Sequence, residues 1–220
     1  MPTAPEEAEL EATVLRFTGV EAPALCPEVG LRLKPTWEAF ETFRDRLPAV
    51  YRAVPPYWAV AWPGGQALAR YLLDNPVVSG LHVADIGAGS GLTSVAAMMS
   101  GARCVRVIDR DPLALAAARI NARLNGVMIN VVCEDFATTN LEGVHVVLAG
   151  DLWYEPFIAR RSTALLRDLA REHTVVLAGD PRRSQFPRSR RELLATYEVA
   201  ATEDLERAAI VASDVWRLLP

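Results

Sequence analysis

The segment Val83–Ser94, VADIGAGSGLTS, decides the fold of this 220-residue chain. A short apolar run ends there in three alternate glycines, Gly87, Gly89 and Gly91, which is typical of a strand that turns through a tight loop into a helix. The flanking sequence keeps alternating: LHVADI, CVRVID, INVVCED, VHVVLAGD and TVVLAGD predict strands, and LTSVAAMMSG, DPLALAAARINARLNG and EPFIARRSTALLRDLAREH predict helices. Alternation of this kind predicts right-handed crossovers and a largely parallel sheet.

Both ends of the chain depart from this alternation. Towards the C-terminus we predict a short helix at 189–195, followed by two strands, YEVAA and AAIVASDVWRLL, that form an antiparallel edge. In the proline-punctuated residues 1–50, LRL predicts a strand and TWEAFETFRDRL a helix. The fold class is therefore α/β: a doubly wound, mostly parallel seven-stranded sheet over 51–220, with a small N-terminal extension over 1–50.

Composition excludes several classes of partner. The chain is 51% hydrophobic and 23% charged, with a formal net charge of −4, which suits one globular domain and indicates no nucleic-acid partner. There is no apolar run of about 18 residues and no secretion or transit pattern, so we expect no membrane partner and a cytoplasmic, bacterial-type location. The three cysteines and three histidines are scattered, and no metal site is expected.

The glycine loop indicates which ligand lies at the carboxyl edge of the sheet. A phosphate-binding loop needs a lysine after its last glycine, and a dinucleotide loop needs glycine at 92; Leu92 meets neither requirement. Asp85, two residues before the loop, disfavours pyrophosphate and favours a cation. S-adenosylmethionine carries an ammonium and a sulfonium and no phosphate, and glycines allow the backbone to approach its methionine part. A glycine turn that serves only packing remains the alternative.

Two further acidic positions fall where a nucleoside needs them. Asp109 ends the second predicted strand and is placed to accept from ribose hydroxyls, whereas Asp111 is expected to cap the next helix. Asp135 can accept from an adenine amino group while Phe136 packs on the ring. Glu134 is the alternative acceptor, because strand alternation points one of the two carboxylates away; a solvated strand end is the other interpretation.

With these residues placed, the chain resembles class I, seven-β-strand, Rossmann-like methyltransferases that use S-adenosylmethionine. More specifically, it is similar to the electron transfer flavoprotein β-subunit lysine methyltransferases, including bacterial members. The resemblance covers most of the chain. It rests on LCPEVGLRL, PYWAVAWPGGQALARYLLDNP, the glycine loop, IDRDPLALAAARINARLN, LAGDLWYE, LAGDPRRSQF and SDVWRLLP. It implies lysine methylation with that flavoprotein subunit as the protein partner, and a domain over 51–220 whose N-terminal extension caps the substrate side.

The resemblance also implies residue roles. Trp62 is expected to line the cofactor pocket, and Asp151 to Tyr154, DLWY, match the D-x-x-Y signature beside the reactive methyl group. A core aromatic is the alternative for Trp62, and a cap on the helix that starts near Glu155 is the alternative for Asp151. We expect Asp151 to bind the incoming ammonium and Tyr154 to shape its channel.

Lysine is a nucleophile only when its nitrogen is neutral, and an apolar, aromatic channel disfavours the charged form. Trp58, Trp153, Tyr154 and Phe157 are the predicted walls. Removal of the proton by a dedicated base and by water both remain open.

Two motifs outside this scheme need an interpretation. VPPYW, Val54 to Trp58, has valine where nucleic-acid amino methyltransferases have an acidic or amide residue, so we interpret it as a proline-rich loop. The cluster RRSQFPRSRRE, with Arg182 at its start, is either a solvated loop or a docking surface for an acidic protein partner. A methyltransferase for another protein, such as a ribosomal one, or for a small amine is the second functional hypothesis. A non-catalytic cofactor-binding module is the third.

Overall fold

A computed structural model describes residues 4–34, 45, 55–200 and 209–220 of the chain. In these ranges the α-helices are α1 (Ala4–Phe17), α2 (Pro63–Asp74), α3 (Leu92–Met99), α4 (Pro112–Leu124) and α5 (Pro156–Arg171), and a 3₁₀ turn covers Tyr57–Ala59. The strands are β1 (Gly19–Glu21), β2 (Leu31–Leu33), β3 (His82–Ile86), β4 (Cys104–Asp109), β5 (Asn130–Cys133), β6 (Val146–Gly150), β7 (Val175–Asp180), β8 (Arg191–Ala200) and β9 (Ile210–Leu218).

Seven of the strands form one sheet in the order β5-β4-β3-β6-β7-β9-β8. The first five are parallel, and β9 runs antiparallel between β7 and β8. The doubly wound, seven-stranded fold with an antiparallel edge is therefore confirmed. The strand order reverses between β3 and β6, and ligands bind at such switch points.

Alternating side chains of the strands form a core on each face of the sheet. Val83 and Leu148 face the cluster that includes α2, α3 and α4, while Ala84 and Val147 face the cluster that includes α5. Strands covered on both faces are apolar at nearly every position, which is why the apolar runs predicted them well.

The helix that begins at Asp111 and Pro112 forms as expected. The backbone N–H of Leu113 donates to Oδ1 of Asp111 at 2.9 Å, which satisfies one of the free donors at the start of α4. Gly126, with φ +67°, follows the C-cap Asn125.

The N-terminal extension contains a helix that the sequence interpretation missed. α1 packs on α4, with Leu10 and Val14 buried in one cluster with Leu113. β1 and β2 form a separate antiparallel pair, which confirms LRL as a strand. The predicted helix TWEAFETFRDRL lies outside the described residues, apart from Asp45.

The helix expected at 189–195 is wrong, because residues 191–200 form the edge strand β8. RELLA contains good helix formers, but pairing with β9 over nine register positions overrides that preference.

Within the described ranges, we find no helix whose length and apolar character would allow it to cross a bilayer.

Candidate active site

A cavity of about 660 Å³ opens at the carboxyl edge of the sheet, at the switch point between β3 and β6. The glycine loop, the turns that follow β4, β5 and β6, and the loop that holds the 3₁₀ turn form its walls. Ten predicted site residues line it: Trp58, Trp62, Asp85, Gly87, Gly89, Asp109, Asp135, Phe136, Asp151 and Tyr154. A volume of this size is typical of small-molecule sites.

The glycine loop is folded back against β4. The N–H of Gly87 donates to the carbonyl of Ile108 at 2.8 Å, and Gly87 has φ +61°. A Cβ on Gly87 would lie 2.5 Å from the side chain of Leu152. Only glycine fits this conformation and this space.

Asp85 is the buried carboxylate of the loop. Thr93 and Ser94 donate their hydroxyls to its Oδ2 at 2.5 and 2.6 Å. Its Oδ1 is buried and has no hydrogen-bond partner among the described residues. Burial raises the pKa of Asp85 to about 6, against the lowering effect of the two hydroxyls. A buried, half-satisfied carboxylate in the cavity wall is an acceptor for a cationic donor.

The next two acidic residues have different surroundings. Asp109 accepts the N–H groups of Gly89 and Asp111 at 3.0 and 2.9 Å, which hold the carboxylate beside the loop. Burial raises the pKa of Asp109, although both N–H groups oppose this effect. Burial, followed by the charge of Asp109, raises the pKa of Asp111 to about 6.

Asp135 forms an ion pair across the far side of the cavity. Its Oδ2 lies 2.8 Å from a guanidinium nitrogen of Arg161, and its Oδ1 accepts the N–H of Ala137 at 3.0 Å. Burial alone would raise the pKa of Asp135, but these two partners hold it below its usual value. Arg161 also lies over the rings of Phe136 and Phe157. Glu134, the alternative acceptor, is exposed and lines the same wall.

The opposite wall is aromatic. The ring of Tyr57 lies 6.0 Å from that of Trp62 and 5.4 Å from that of Tyr154, measured between centroids. Trp62 donates its indole N–H to the carbonyl of Tyr57 at 2.8 Å, which fixes the cluster. Burial, with the charge of Glu155, raises the pKa of Tyr57; burial likewise raises that of Tyr154. Both phenols are therefore neutral at physiological pH.

Asp151 lies between the aromatic wall and the start of α2. Its Oδ2 accepts the N–H of Gly65, in the first turn of α2, at 2.6 Å, and its Oδ1 lies 3.4 Å from Arg183. The carboxylate therefore binds the first turn of α2, and it also lines the cavity. Its backbone has φ +55°, a conformation that is strained for a residue other than glycine and is common at functional sites.

Four predicted site residues do not line the cavity. Gly91 lies behind the loop, where a Cβ would meet Ala118 at 2.9 Å. Trp153 was predicted as a channel wall, but it is fully buried in the core and packs on Phe186. Phe157 is largely exposed beside Arg161. Arg182 is bound to Asp214, away from the cavity.

The sequence interpretation missed several lining residues, which include Tyr57, Thr93, Arg110, Glu155, Arg161 and Arg183. Thr93 lies in the first turn of the helix that follows the glycine loop, and a hydroxyl at this place is a usable signal. Arg161 and Arg183 are not marked by any local motif. In total, seven carboxylates and three guanidinium groups line the cavity, an excess of negative charge that suits a cationic ligand.

Relatives of known activity share this sequence over most of its length. The chain is 39% identical over 206 residues to the electron transfer flavoprotein beta subunit lysine methyltransferase of Danio rerio, covering 90% of this chain and 78% of that protein. The chain belongs to the electron transfer flavoprotein β-subunit lysine methyltransferase family. The Xenopus laevis member of this family is 38% identical over 219 residues, covering 94% of this chain and 86% of that protein.

Broader comparisons give the same fold for this family member. Residues 66–152 match the family model described as ribosomal protein L11 methyltransferase (PrmA). The fold matches that of magnesium protoporphyrin IX methyltransferase from Synechocystis PCC 6803, solved with bound S-adenosylmethionine. The TM-score is 0.51 and the identity 15%, over 70% of this chain and 77% of that one. The protein is an S-adenosylmethionine-dependent lysine methyltransferase.

Proposed function

We propose that this protein methylates a lysine of the electron transfer flavoprotein β subunit, the substrate that its relatives' names give. Residues on the glycine-loop side of the cavity would hold the cofactor, and the lysine would enter along the aromatic wall towards Asp151. One observation carries the cofactor half of this proposal: Oδ1 of buried Asp85, in the cavity wall, has no hydrogen-bond partner in the part of the chain that the structure describes.

The residues present fit S-adenosylmethionine. Asp85 would receive its ammonium group, Asp109 its ribose hydroxyls, and Phe136 with Asp135 its adenine ring. Asp135 is already bonded to Arg161 and Ala137, but each carboxylate oxygen has a second lone pair for an adenine amino group. When bound, the cofactor supplies a methyl group on a positively charged sulfur.

The acceptor side must bind a lysine and hold its nitrogen neutral. Asp151 accepts hydrogen bonds from the amine through Oδ1, since Oδ2 is held by the N–H of Gly65. Tyr57, Trp62 and Tyr154 exclude water along the side chain, which disfavours the charged amine. A lysine nitrogen held neutral in this way would be able to form the new N–C bond as the C–S bond breaks, and its surplus proton would leave to water. Positioning and desolvation are the protein's contributions.

Asp151→Asn tests the acceptor half of the proposal. The amide keeps the shape and can still accept the N–H of Gly65, but it loses the charge that receives the amine. We expect the turnover number to fall by roughly 10²-fold, while the affinity for S-adenosylhomocysteine, measured by calorimetry, changes less than about threefold. Tyr154→Phe is the milder comparison and should lose less. Turnover equal to that of the wild type in Asp151→Asn would contradict the role of Asp151.

The substrate is tested by labelling. The enzyme, with tritiated-methyl cofactor, is incubated with recombinant electron transfer flavoprotein β subunit and, separately, with a cell lysate. We expect the label on lysines of the β subunit. Label only on another protein or on a small amine would refute this substrate, and no label in either incubation would refute catalysis.

A further inference from the structure

Three neighbouring strands place carboxylates in a row beside the proposed acceptor site. The carboxyl ends of β6 and β7 have the same sequence, LAGD, at 148–151 and 177–180. The two copies are paired in register, with Gly150 opposite Gly179. Asp151 and Asp180 therefore end these sequences side by side, and Asp180 lies opposite Asp214 of β9. The motifs GDPRRSQF and SDVWRLLP, which carried much of the resemblance, contribute two of these three residues.

Two consecutive arginines in the loop after β7 form ion pairs with carboxylates of this row. Arg183 lines the cavity, with its guanidinium 3.4 Å from Oδ1 of Asp151. Arg182 is more exposed and binds both oxygens of Asp214 at 3.0 Å. The two arginines thus neutralise the outer carboxylates of the row.

The central carboxylate, Asp180, is in a different state. It is completely buried, its Oδ1 accepts the backbone N–H of Arg183 at 2.6 Å, and its Oδ2 has no partner among the described residues. Burial, followed by the charge of Asp151, raises the pKa of Asp180 to about 8, although Arg183 opposes the shift. Asp180 therefore keeps its proton at neutral pH.

From this geometry we propose that Arg183 is a positioning residue that keeps the acceptor lysine in its neutral form. The inference rests on the proposed role of Asp151. A lone carboxylate would favour the unreactive ammonium. Arg183, on the same carboxylate oxygen, offsets that charge, and a protonated Asp180 adds no second negative charge.

The other charged groups near these three carboxylates do not change the charge at Asp151. On β9, Asp214 is met by Arg182 and by the hydroxyl of Thr196 at 2.7 Å. After β6, Glu155 lies near the phenols of Tyr57 and Tyr154. The first turn of α2 contains no acidic side chain.

Arg183→Met and Arg182→Met are a matched pair for the test. Single-turnover methylation of the flavoprotein β subunit is measured against pH with saturating cofactor, and the apparent pKa of the rate is the acceptor's in the complex. In Arg183→Met we expect that pKa to rise by about one unit and the KM for the protein to fall. Arg182→Met should keep the wild-type profile, and Arg183→Lys should restore it. An unshifted profile in Arg183→Met would overturn the role of Arg183.

Asp180→Asn tests the proton on the central residue. Because the native side chain is already neutral at pH 7, we expect wild-type turnover there. The folded-state pKa lies above the unfolded value, so ionisation disfavours the folded state, and the wild type loses stability as the pH rises from about 4 to about 8. Its thermal midpoint should fall relative to that of Asp180→Asn over this window. A large loss of turnover at pH 7 with normal cofactor binding would show that the ionised carboxylate is required and overturn the inference.

These outcomes separate the inference from the proposed function. If Asp151→Asn is fully active, the proposed acceptor site is wrong. If Asp151→Asn is inactive and Arg183→Met keeps the wild-type profile, only the role of Arg183 is wrong. Thermal midpoints of all variants identify any loss of folding, and Arg183→Lys provides the charge test if Arg183→Met does not fold.

Discussion

At the scale of the residue, Asp85 couples cofactor binding to pH. Its pKa of about 6 means that it is ionised at pH 7 and largely protonated at pH 5.5. Because the ionised form receives the cofactor's ammonium, the dissociation constant of S-adenosylhomocysteine should rise on the order of fourfold between these pH values. Calorimetry across this range measures the change.

Asp85→Asn should bind weakly at every pH and lose most of this dependence. Asp111→Asn is the matched control, since Asp111 has a pKa of about 6 as well but already caps α4, and asparagine caps equally well. If Asp111→Asn abolishes the dependence and Asp85→Asn retains it, the assignment of the ammonium site to Asp85 is wrong.

Three cavity-lining carboxylates could be predicted from the sequence because they lie at the ends of predicted strands. Asp85, Asp109 and Asp135 lie in or just after β3, β4 and β5, where strand alternation and the carboxyl edge fix their position. Trp153 follows β6 in a turn, where no period indicates the direction of a side chain, and it points into the core. The partners of Asp151 come from the first turn of α2 and from the loop after β7, and no local sequence pattern connects them to Asp151.

At the scale of the element, the position of α2 depends on glycines that allow close contact between the backbones of α2 and β7. A Cβ on Gly179 would lie 2.0 Å from the carbonyl oxygen of Gly64, whereas a Cβ on Gly65 would meet only Oδ2 of Asp151 at 3.7 Å. Gly179→Ala should therefore lower the free energy of unfolding by roughly 1–3 kcal/mol and reduce turnover, because the carbonyl of Gly179 accepts the N–H of Asp151.

Gly65→Ala keeps the N–H that Asp151 accepts and should be tolerated, with a small gain from helix propensity. Urea titration of both variants gives the free energies. Equal stability of the two would mean that the contact between α2 and β7 relaxes without cost, and that close backbone packing is not what places Asp151.

Local sequence pattern was sufficient to predict some of the strands and not others. β3, β4, β6 and β7 are buried on both faces, so their apolar runs identify them without ambiguity. Among the described residues, β8 is an edge strand with only one neighbour, β9, and its first half, RELLA, contains good helix formers. Its pairing with β9 is a tertiary contact, which helix propensity at 189–195 could not indicate.

At the scale of the whole molecule, the N-terminal extension supports the cavity from behind. Leu10 and Val14 of α1 share a buried cluster with Trp58. Trp58 also lines the cavity. Ion pairs from Glu7 to Arg119 at 2.9 Å and from Glu11 to Arg123 at 2.6 Å hold α1 on α4. We expect the extension to act on cofactor affinity as well as on stability.

Leu10→Ala tests this coupling across the molecule. Leu10 is 2% exposed, so truncation should cost about 2–5 kcal/mol of stability and weaken the binding of S-adenosylhomocysteine as Trp58 loses its backing. Leu15→Ala, at a position 47% exposed on the same helix, should change both by little. Thermal unfolding and calorimetry measure the two effects separately. A loss of stability in Leu10→Ala with unchanged cofactor affinity would show that α1 stabilises the fold without shaping the cavity.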